Sequence, residues 1–286
     1  MSKQDNHELR NYWDEKSSRE LGREEYYLPK RIHTDLIWRE IRRSINLTTN
    51  LKILDAGGGP GRFSIPLAQD GHEVTHIDVS NKMLDIAKTK AEKLGISNIN
   101  FFQTNICEGL NFPDNSFDLV LCLDGPLSFC HANYKMVLNE LVRVTKSEII
   151  LCVINRTGAI FEDGGNTDLT HFGALKTIWD VWRTGTLKVD EELKKLEPNI
   201  APSWHSFTPS ELSELLIAAG CHVLRISAPG TFSRFTNIEL LKKLYDNPEA
   251  YKDYLNFEEE IDSMPNLLGV GCINAGGLMV RAKKKR

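Results

Sequence analysis

Leu51-Lys52-Ile53-Leu54-Asp55-Ala56-Gly57-Gly58-Gly59-Pro60-Gly61-Arg62-Phe63 runs from an apolar strand into an acid, then a glycine-packed turn, then the opening of a helix. Residues without side chains let the backbone approach a ligand closely, and amide groups exposed at the following helix start attract an anionic group. Pro60 suits that start, where its fixed φ is favourable and its missing N–H costs little. The stretch reads as a nucleotide-cofactor loop. A glycine-rich turn alone is more often only a turn, so the reading depends on what surrounds it.

Outward from the loop, short apolar runs alternate with helical stretches. Strands are expected at 51–55, 73–78, 99–104, 117–123 and 148–154, with helices from 61, over 81–94 and over 131–145. That alternation implies a parallel sheet with helices on both faces, an α/β doubly wound fold. Ligands of such sheets sit at the carboxyl ends of the strands, where strand order reverses. One crevice would then gather Asp55 to Gly61, Asp78, Asn105 and Asp124. Further on, Thr208-Pro209-Ser210-Glu211 is a capping box with proline at the first helical position, and Gly220 is a C′ glycine for the helix it opens. Cys221 to Ser227 and Gly277 to Ala282 would supply the last two strands.

The dinucleotide fingerprint G-x-G-x-x-G fails from Gly57, because its last position falls on Arg62, and the phosphate loop G-x-x-x-x-G-K-[ST] is absent. What remains, Asp55-x-Gly57-x-Gly59-x-Gly61, resembles motif I of the class I S-adenosylmethionine-dependent methyltransferases. Four further landmarks follow in the family's order. Asp78 closes the second strand and matches the ribose-hydroxyl acceptor. Asp78-Val79-Ser80-Asn81-Lys82-Met83-Leu84-Asp85-Ile86-Ala87 looks like the D-x-S-x-x-M-L-x-x-A segment, and Asn105 matches the position near the adenine amine. Ser116 to Asp124 looks like the fourth strand, whose end faces the sulfonium. The resemblance covers residues 50 to 155. It implies a Rossmann-like, seven-stranded, mostly parallel sheet with an antiparallel edge hairpin, and S-adenosylmethionine as cofactor with S-adenosylhomocysteine as product. The cofactor-binding set it implies is Asp55, Gly57, Gly59, Gly61, Asp78, Val79, Met83, Asn105, Ile106 and Leu123.

The 286 residues are 41% hydrophobic with a net charge of −4, which suits one core domain with added elements and gives no overall electrostatic footprint for nucleic acid. Lys283 to Arg286 reads as a solvated tail. The six cysteines form no C-x-x-C pair and read as reduced thiols, two of them, Cys122 and Cys152, inside apolar runs. With neither a signal peptide nor a membrane-length apolar run, a cytoplasmic location is expected.

Three segments exceed the minimal core: 1–50, 156–207 and, within the closing part 208–286, the stretch 233–268. Together they hold all five tryptophans. Segments of this length usually carry a lid or a binding function, and a helical cap over the crevice of the 51–155 core is expected. Trp179 and Trp182 are three apart on a helical stretch, and Trp38, Ile41 and Ile45 follow helical spacing, so packing of cap against core accounts for most of these aromatics.

Transfer of a methyl group from a sulfonium is an in-line displacement, in which positioning supplies much of the rate and some nucleophiles need a base. Asp124 and His131 are the catalytic candidates near the fourth strand's end; the cap adds Asp163, His171 and His205, residue types more often structural at such places. Scattered histidines without H-x-x-x-H or H-x-x-E spacing argue against a metal site. Members of this superfamily acting on nucleobase amines carry Asn/Asp-Pro-Pro-Tyr/Phe where this chain has Asp124-Gly125-Pro126-Leu127, which argues against DNA. Thr145-Lys146-Ser147-Glu148 departs from the Pro-Gly-Gly turn of many relatives, on the side away from the cofactor. The expected activity is methyl transfer to N or O of a small molecule, natural product or short peptide. Two rivals stand beside it: a tRNA-modifying methyltransferase, which a basic rim would favour, and a non-catalytic S-adenosylmethionine-binding protein.

Overall fold

The computed structural model describes residues 3–46, 48–166, 173–268 and 277–285. His171, Phe172 and Cys272 lie outside the described residues, as does the side chain of Asp163. A seven-stranded sheet organises the chain. Its first strands are β1 (Lys52–Ala56), β2 (Glu73–Asp78), β3 (Ile99–Gln103), β4 (Phe117–Cys122) and β5 (Thr145–Val153), all parallel. The late strands Cys221–Ser227 and Leu278–Lys284 close the sheet antiparallel, with Leu278–Lys284 between β5 and Cys221–Ser227. Strand order runs β3, β2, β1, β4, β5 and then this hairpin, so it reverses between β1 and β4. The central strands are apolar almost without interruption, being covered on both faces, whereas the edge strands are mostly half-buried or exposed.

Three helices precede the sheet: α1 (Lys3–Leu21), α2 (Arg23–Tyr26) and α3 (Pro29–Ile45). Proline opens α3 at a position that needs no N–H, and Asn46 ends it in a left-handed turn. Ile37 and Ile41 pack on Ile53, Ile150 and Cys152 of the sheet, while Ile32 and Leu36 face Leu241 and Leu255. All four α3 residues are buried, a gross gain of about 1.5–3 kcal/mol each. Between the strands lie α4 (Ser64–Gln69), α5 (Asn81–Lys93), α6 (Pro126–Phe129) and α7 (Tyr134–Val144).

After β5 come α8 (Arg156–Asn166), α9 (Ala174–Thr184), β6 (Thr186–Leu187), α10 (Glu191–Leu196) and β7 (Trp204–His205), with β6 and β7 paired as a small ribbon. Then follow α11 (Pro209–Ala218), β8 (Cys221–Ser227), α12 (Ile238–Tyr245), α13 (Pro248–Asp262) and β9 (Leu278–Lys284). Among the described residues no helix is long and apolar enough to cross a membrane.

Five local expectations shift. α4 starts at Ser64 rather than 61, because the backbone of Gly57, Gly59 and Gly61 takes positive φ and prolongs the turn. The helix expected over 131–145 is interrupted by His131 at φ +42°, so that a short 3-10 segment, His131–Asn133, precedes α7. β5 begins at Thr145, which pairs with Phe117 before a register irregularity. Trp179 and Trp182 do not pack cap against core: α9 turns Val181 inward and leaves the two indoles 48% and 49% exposed. The capping box is half made: Thr208 accepts from the Glu211 amide, but the Glu211 carboxylate turns to His205 and Arg156.

Candidate active site

A crevice of about 400 Å³ opens at the carboxyl ends of β1, β2 and β4, where strand order reverses. Asp55, Gly57, Gly59, Asp78, Val79, Met83, Asn105, Ile106, Leu123 and Asp124 all line it. Gly61 and His131 do not. Gly61 sits where any side chain would strike Ile65 and Ala87, which serves close packing of α4 on α5. The turn at His131–Asn133 leaves His131 outside the lining, although it is near in sequence to Asp124.

The glycine loop is held by its own backbone. Gly57 and Gly58 donate to the Ile77 carbonyl at 2.8 and 3.1 Å, and Gly59 donates to Asp78 Oδ2 at 2.9 Å. Gly57, at φ +77°, passes so close to α6 that a Cβ would stand 2.3 Å from Pro126 Cγ. Gly59, at φ +54°, faces open space, with nothing within 4 Å of where its Cβ would be.

The two acids of the sheet side are both buried. Asp78 accepts from the Gly59 amide and, through Oδ1, from the Ser80 amide at 2.8 Å. Burial outweighs those bonds and pushes its carboxyl up to about 6. A carboxylate has about four acceptor sites, so two backbone donors leave room for ligand hydroxyls. Asp55 is 1% exposed and its Oδ2 has no hydrogen-bond partner. Burial pushes it up to about 7, against a hydrogen bond from Ser64. Asn105 spends its side-chain oxygen on the Cys107 amide at 3.0 Å, capping the segment Ile106–Glu108.

The opposite wall comes from the N-terminal helices. α1 lays Leu9, Tyr12 and Trp13 on the crevice, and Trp13 meets Phe129 edge to face with centroids 5.2 Å apart. Asp14 fixes this helix: its Oδ1 accepts from Ser80 Oγ at 2.5 Å and from the Lys82 amide at 3.2 Å. Ser80 in turn caps α5 by accepting from Met83 at 3.1 Å. On the remaining side stand Ile154, Ala159 and Trp204. His205, beside Trp204, is instead built into the fold, stacked on Tyr134 at 4.0 Å and bonded to Glu211 at 2.9 Å.

Asp124 is already engaged. The Arg23 guanidinium of α2 pairs with its Oδ2, and His33 Nε2 of α3 lies 2.9 Å from its Oδ1. Burial opposes its charge, but Arg23 and His33 hold the carboxyl well below the usual carboxylate range. Its place is structural support for the crevice floor rather than a free base. Among the described residues one trio, His33, Asp124 and Cys152, brings metal-ligand atoms within 4.8 Å of one another. Arg23 and His33 already take both carboxylate oxygens there. Sequence reasoning missed Arg23, Lys30 and His33, because charged residues on an amphipathic helix look like a solvated face. The signal was the acid itself: a carboxylate at the end of a buried strand needs a cation.

Residues 53–148 match the family described as a methyltransferase domain. The ubiquinone biosynthesis O-methyltransferase of Rickettsia typhi is 33% identical over 127 residues, 44% of this chain and 50% of that protein. The tRNA 5-carboxymethoxyuridine methyltransferase of Escherichia coli is 34% identical over 89 residues, 30% of this chain and 34% of that one. The chain thus spans half or less of the length of these curated relatives. Among solved structures, magnesium protoporphyrin IX methyltransferase of Synechocystis with bound S-adenosylhomocysteine shares the fold at a TM-score of 0.56 and 16% identity, covering 98% of this chain and 100% of that one. The cyclase SpnF shares it at 0.50 and 19%, covering 88% and 79%, so the fold does not by itself fix the reaction.

Residues 53–148 form a methyltransferase domain, set in the fold of the class I S-adenosylmethionine-dependent type. The crevice fits that cofactor: Asp78 offers acceptors for ribose hydroxyls, the unpartnered Asp55 oxygen awaits a donor, and Gly59 leaves the space a side chain would fill.

Proposed function

We propose that this protein transfers a methyl group from S-adenosylmethionine to N or O of a small molecule, natural product or short peptide. One observation carries the reading: a single crevice joins the acid and glycine wall of the sheet to an apolar and aromatic wall from α1, at a volume usual for small-molecule sites. The bound cofactor supplies an electrophilic methyl carbon. Asp78 and the Gly57–Gly59 backbone hold it in place, while Trp13, Phe129 and Trp204 exclude water and orient an acceptor. α1 to α3 and the 156–207 segment act as a cap over the core.

The relatives support the coarser reading, with names that include an O-methyltransferase and a tRNA methyltransferase. A small acceptor is favoured because three of the five cations that line the crevice are buried or paired, Arg23 and Lys30 by burial and Arg62 with Glu24, which leaves Lys16 and Arg19 at the rim. The test is incubation with methyl-labelled S-adenosylmethionine and host extract divided into metabolite, peptide and RNA fractions. Label among metabolites or short peptides supports the reading. Label in RNA sinks it in favour of tRNA modification, and cofactor binding without label in any fraction favours a non-catalytic binding protein.

A further inference from the structure

Of the two buried cations that line the crevice, Arg23 is paired, whereas Lys30 has neither a side-chain hydrogen bond nor an ion pair among the described residues. It stands in the first turn of α3, 3% exposed, and it lines the crevice together with Asp124 and Leu123 at the end of β4. Its charged surroundings are already matched to one another. Arg23 pairs with both Glu20 and Asp124, and His33 takes the other oxygen of Asp124. Cys152, a thiol whose burial pushes it far up, also faces it. Among the described residues no carboxylate forms an ion pair with Nζ, the partner that a buried ammonium needs.

Burial lowers the affinity of Lys30 for a proton, and the nearby Arg23 charge lowers it further, against the pull of Asp124 and Glu20. Without its proton the amine is a base, and it lines the crevice beside the end of β4.

Resting on the methyltransferase reading above, we infer that Lys30 takes the proton of an acidic hydroxyl on the methyl acceptor and then pairs with the oxyanion, which makes phenols and enols the acceptor class. The match is chemical. A phenol ordinarily ionises at about 10, and pairing of its oxyanion with the protonated Lys30 offsets the lowered basicity of the amine, whereas an aliphatic alcohol is far too weak an acid. A substrate ammonium would meet Arg23 rather than a free carboxylate. In the step itself, the O–H bond breaks and its proton moves to Nζ. An oxygen lone pair forms the C–O bond as the C–S bond breaks, its electron pair going to sulfur. Charge balances: the products are a neutral methyl ether, a neutral thioether and a protonated Lys30.

The test uses the full chain saturated with S-adenosylhomocysteine, and para-nitrophenol as the probe, because its phenolate is yellow and its phenol is not. Bound to the parent protein, the probe should ionise with a midpoint lowered by about 1–3 on the pH scale relative to free solution. Lys30→Met, or Lys30→Gln if the first does not fold, should abolish that shift while still binding S-adenosylhomocysteine by calorimetry. A probe that stays unshifted on the parent protein, whether bound neutral or not bound at all, overturns the inference, as does an equal shift in the folded variant. Failure to bind S-adenosylhomocysteine would instead sink the methyltransferase reading.

Discussion

His33 Nε2 lies 2.9 Å from Asp124 Oδ1, a contact across 91 residues that ties the third helix to the end of the fourth strand. The other ring nitrogen, Nδ1, is 3.1 Å from the Pro229 carbonyl. With Arg23 on Oδ2, the carboxylate is the joint between α2, α3 and the sheet.

Removing that joint leaves Arg23 buried without its partner. Asp124→Ala is expected to cost about 3–5 kcal/mol in urea unfolding, and Arg23→Met combined with Asp124→Leu to recover much of it. Because the native carboxyl is held below its ordinary value, its contribution is present at neutral pH and is lost as pH falls through the carboxylate range. A loss from Asp124→Ala no larger than that of an average surface change would remove the residue from this structural place.

Asp78 should govern cofactor affinity. Asp78→Asn is expected to weaken S-adenosylhomocysteine binding by about 1.5–3 kcal/mol, roughly 10- to 150-fold. Its carboxyl is pushed up to about 6, and hydroxyl donors favour the ionised form. Affinity should therefore fall as pH drops below that value, with proton release on binding near it. Calorimetry in two buffers of different ionisation heat reads the proton directly, and none released would show that the ribose lies elsewhere.

Asp55 makes the opposite demand on the ligand-free chain. Its carboxyl, pushed up to about 7, gives stability that is full below the ordinary carboxylate value and lost as pH rises through 7. Asp55→Asn should raise the Tm of the ligand-free protein above pH 7 and weaken cofactor binding. A Tm lowered at every pH would mean that the orphaned oxygen has a partner in solution.

The two loop glycines should separate folding from binding. Gly57→Ala drives a methyl into Pro126 and should lower stability sharply, whereas Gly59→Ala meets open space and pays only the left-handed backbone cost of about 1–2 kcal/mol. Its larger effect should fall on cofactor affinity. Equal unfolding midpoints for the two variants would contradict the close approach at Gly57.

α1 is held to α5 by Asp14 at Ser80 and Lys82. Asp14→Ala should speed hydrogen exchange across residues 3–21 while leaving the sheet protected, and cofactor should slow that exchange in the parent protein. Unchanged exchange in the variant would assign the hold on α1 to Trp13 and Leu9 instead.

Much of this was legible from local pattern. The strand–acid–glycine run, the acid closing β2 and the apolar run of β4 marked the parallel strands, and nine of the ten residues expected on the cofactor side line the crevice. Each is decided by neighbours in sequence: strand ends, turns and caps. The missing parts are those that depend on distance along the chain. Nothing near His131 announced that a positive φ would turn it away, and nothing near Lys30 or Arg23 distinguished them from the solvated charges of any amphipathic helix. Trp179 and Trp182 erred for the same reason, because helical spacing says which residues share a face and not what that face meets.

The N-terminal wall has a consequence for assembly. Arg23 waits for a partner 101 residues later and His33 for one 196 residues later. During synthesis α1 to α3 emerge before any strand they can lean on, and their charges stay hydrated until β4 and the segment around Pro229 have been made. Closing such long loops comes late and slowly. The nascent chain would therefore finish the wall carried by α1 to α3 only once Pro229 has been made, so that cofactor can meet a finished pocket only after most of the sequence has left the ribosome.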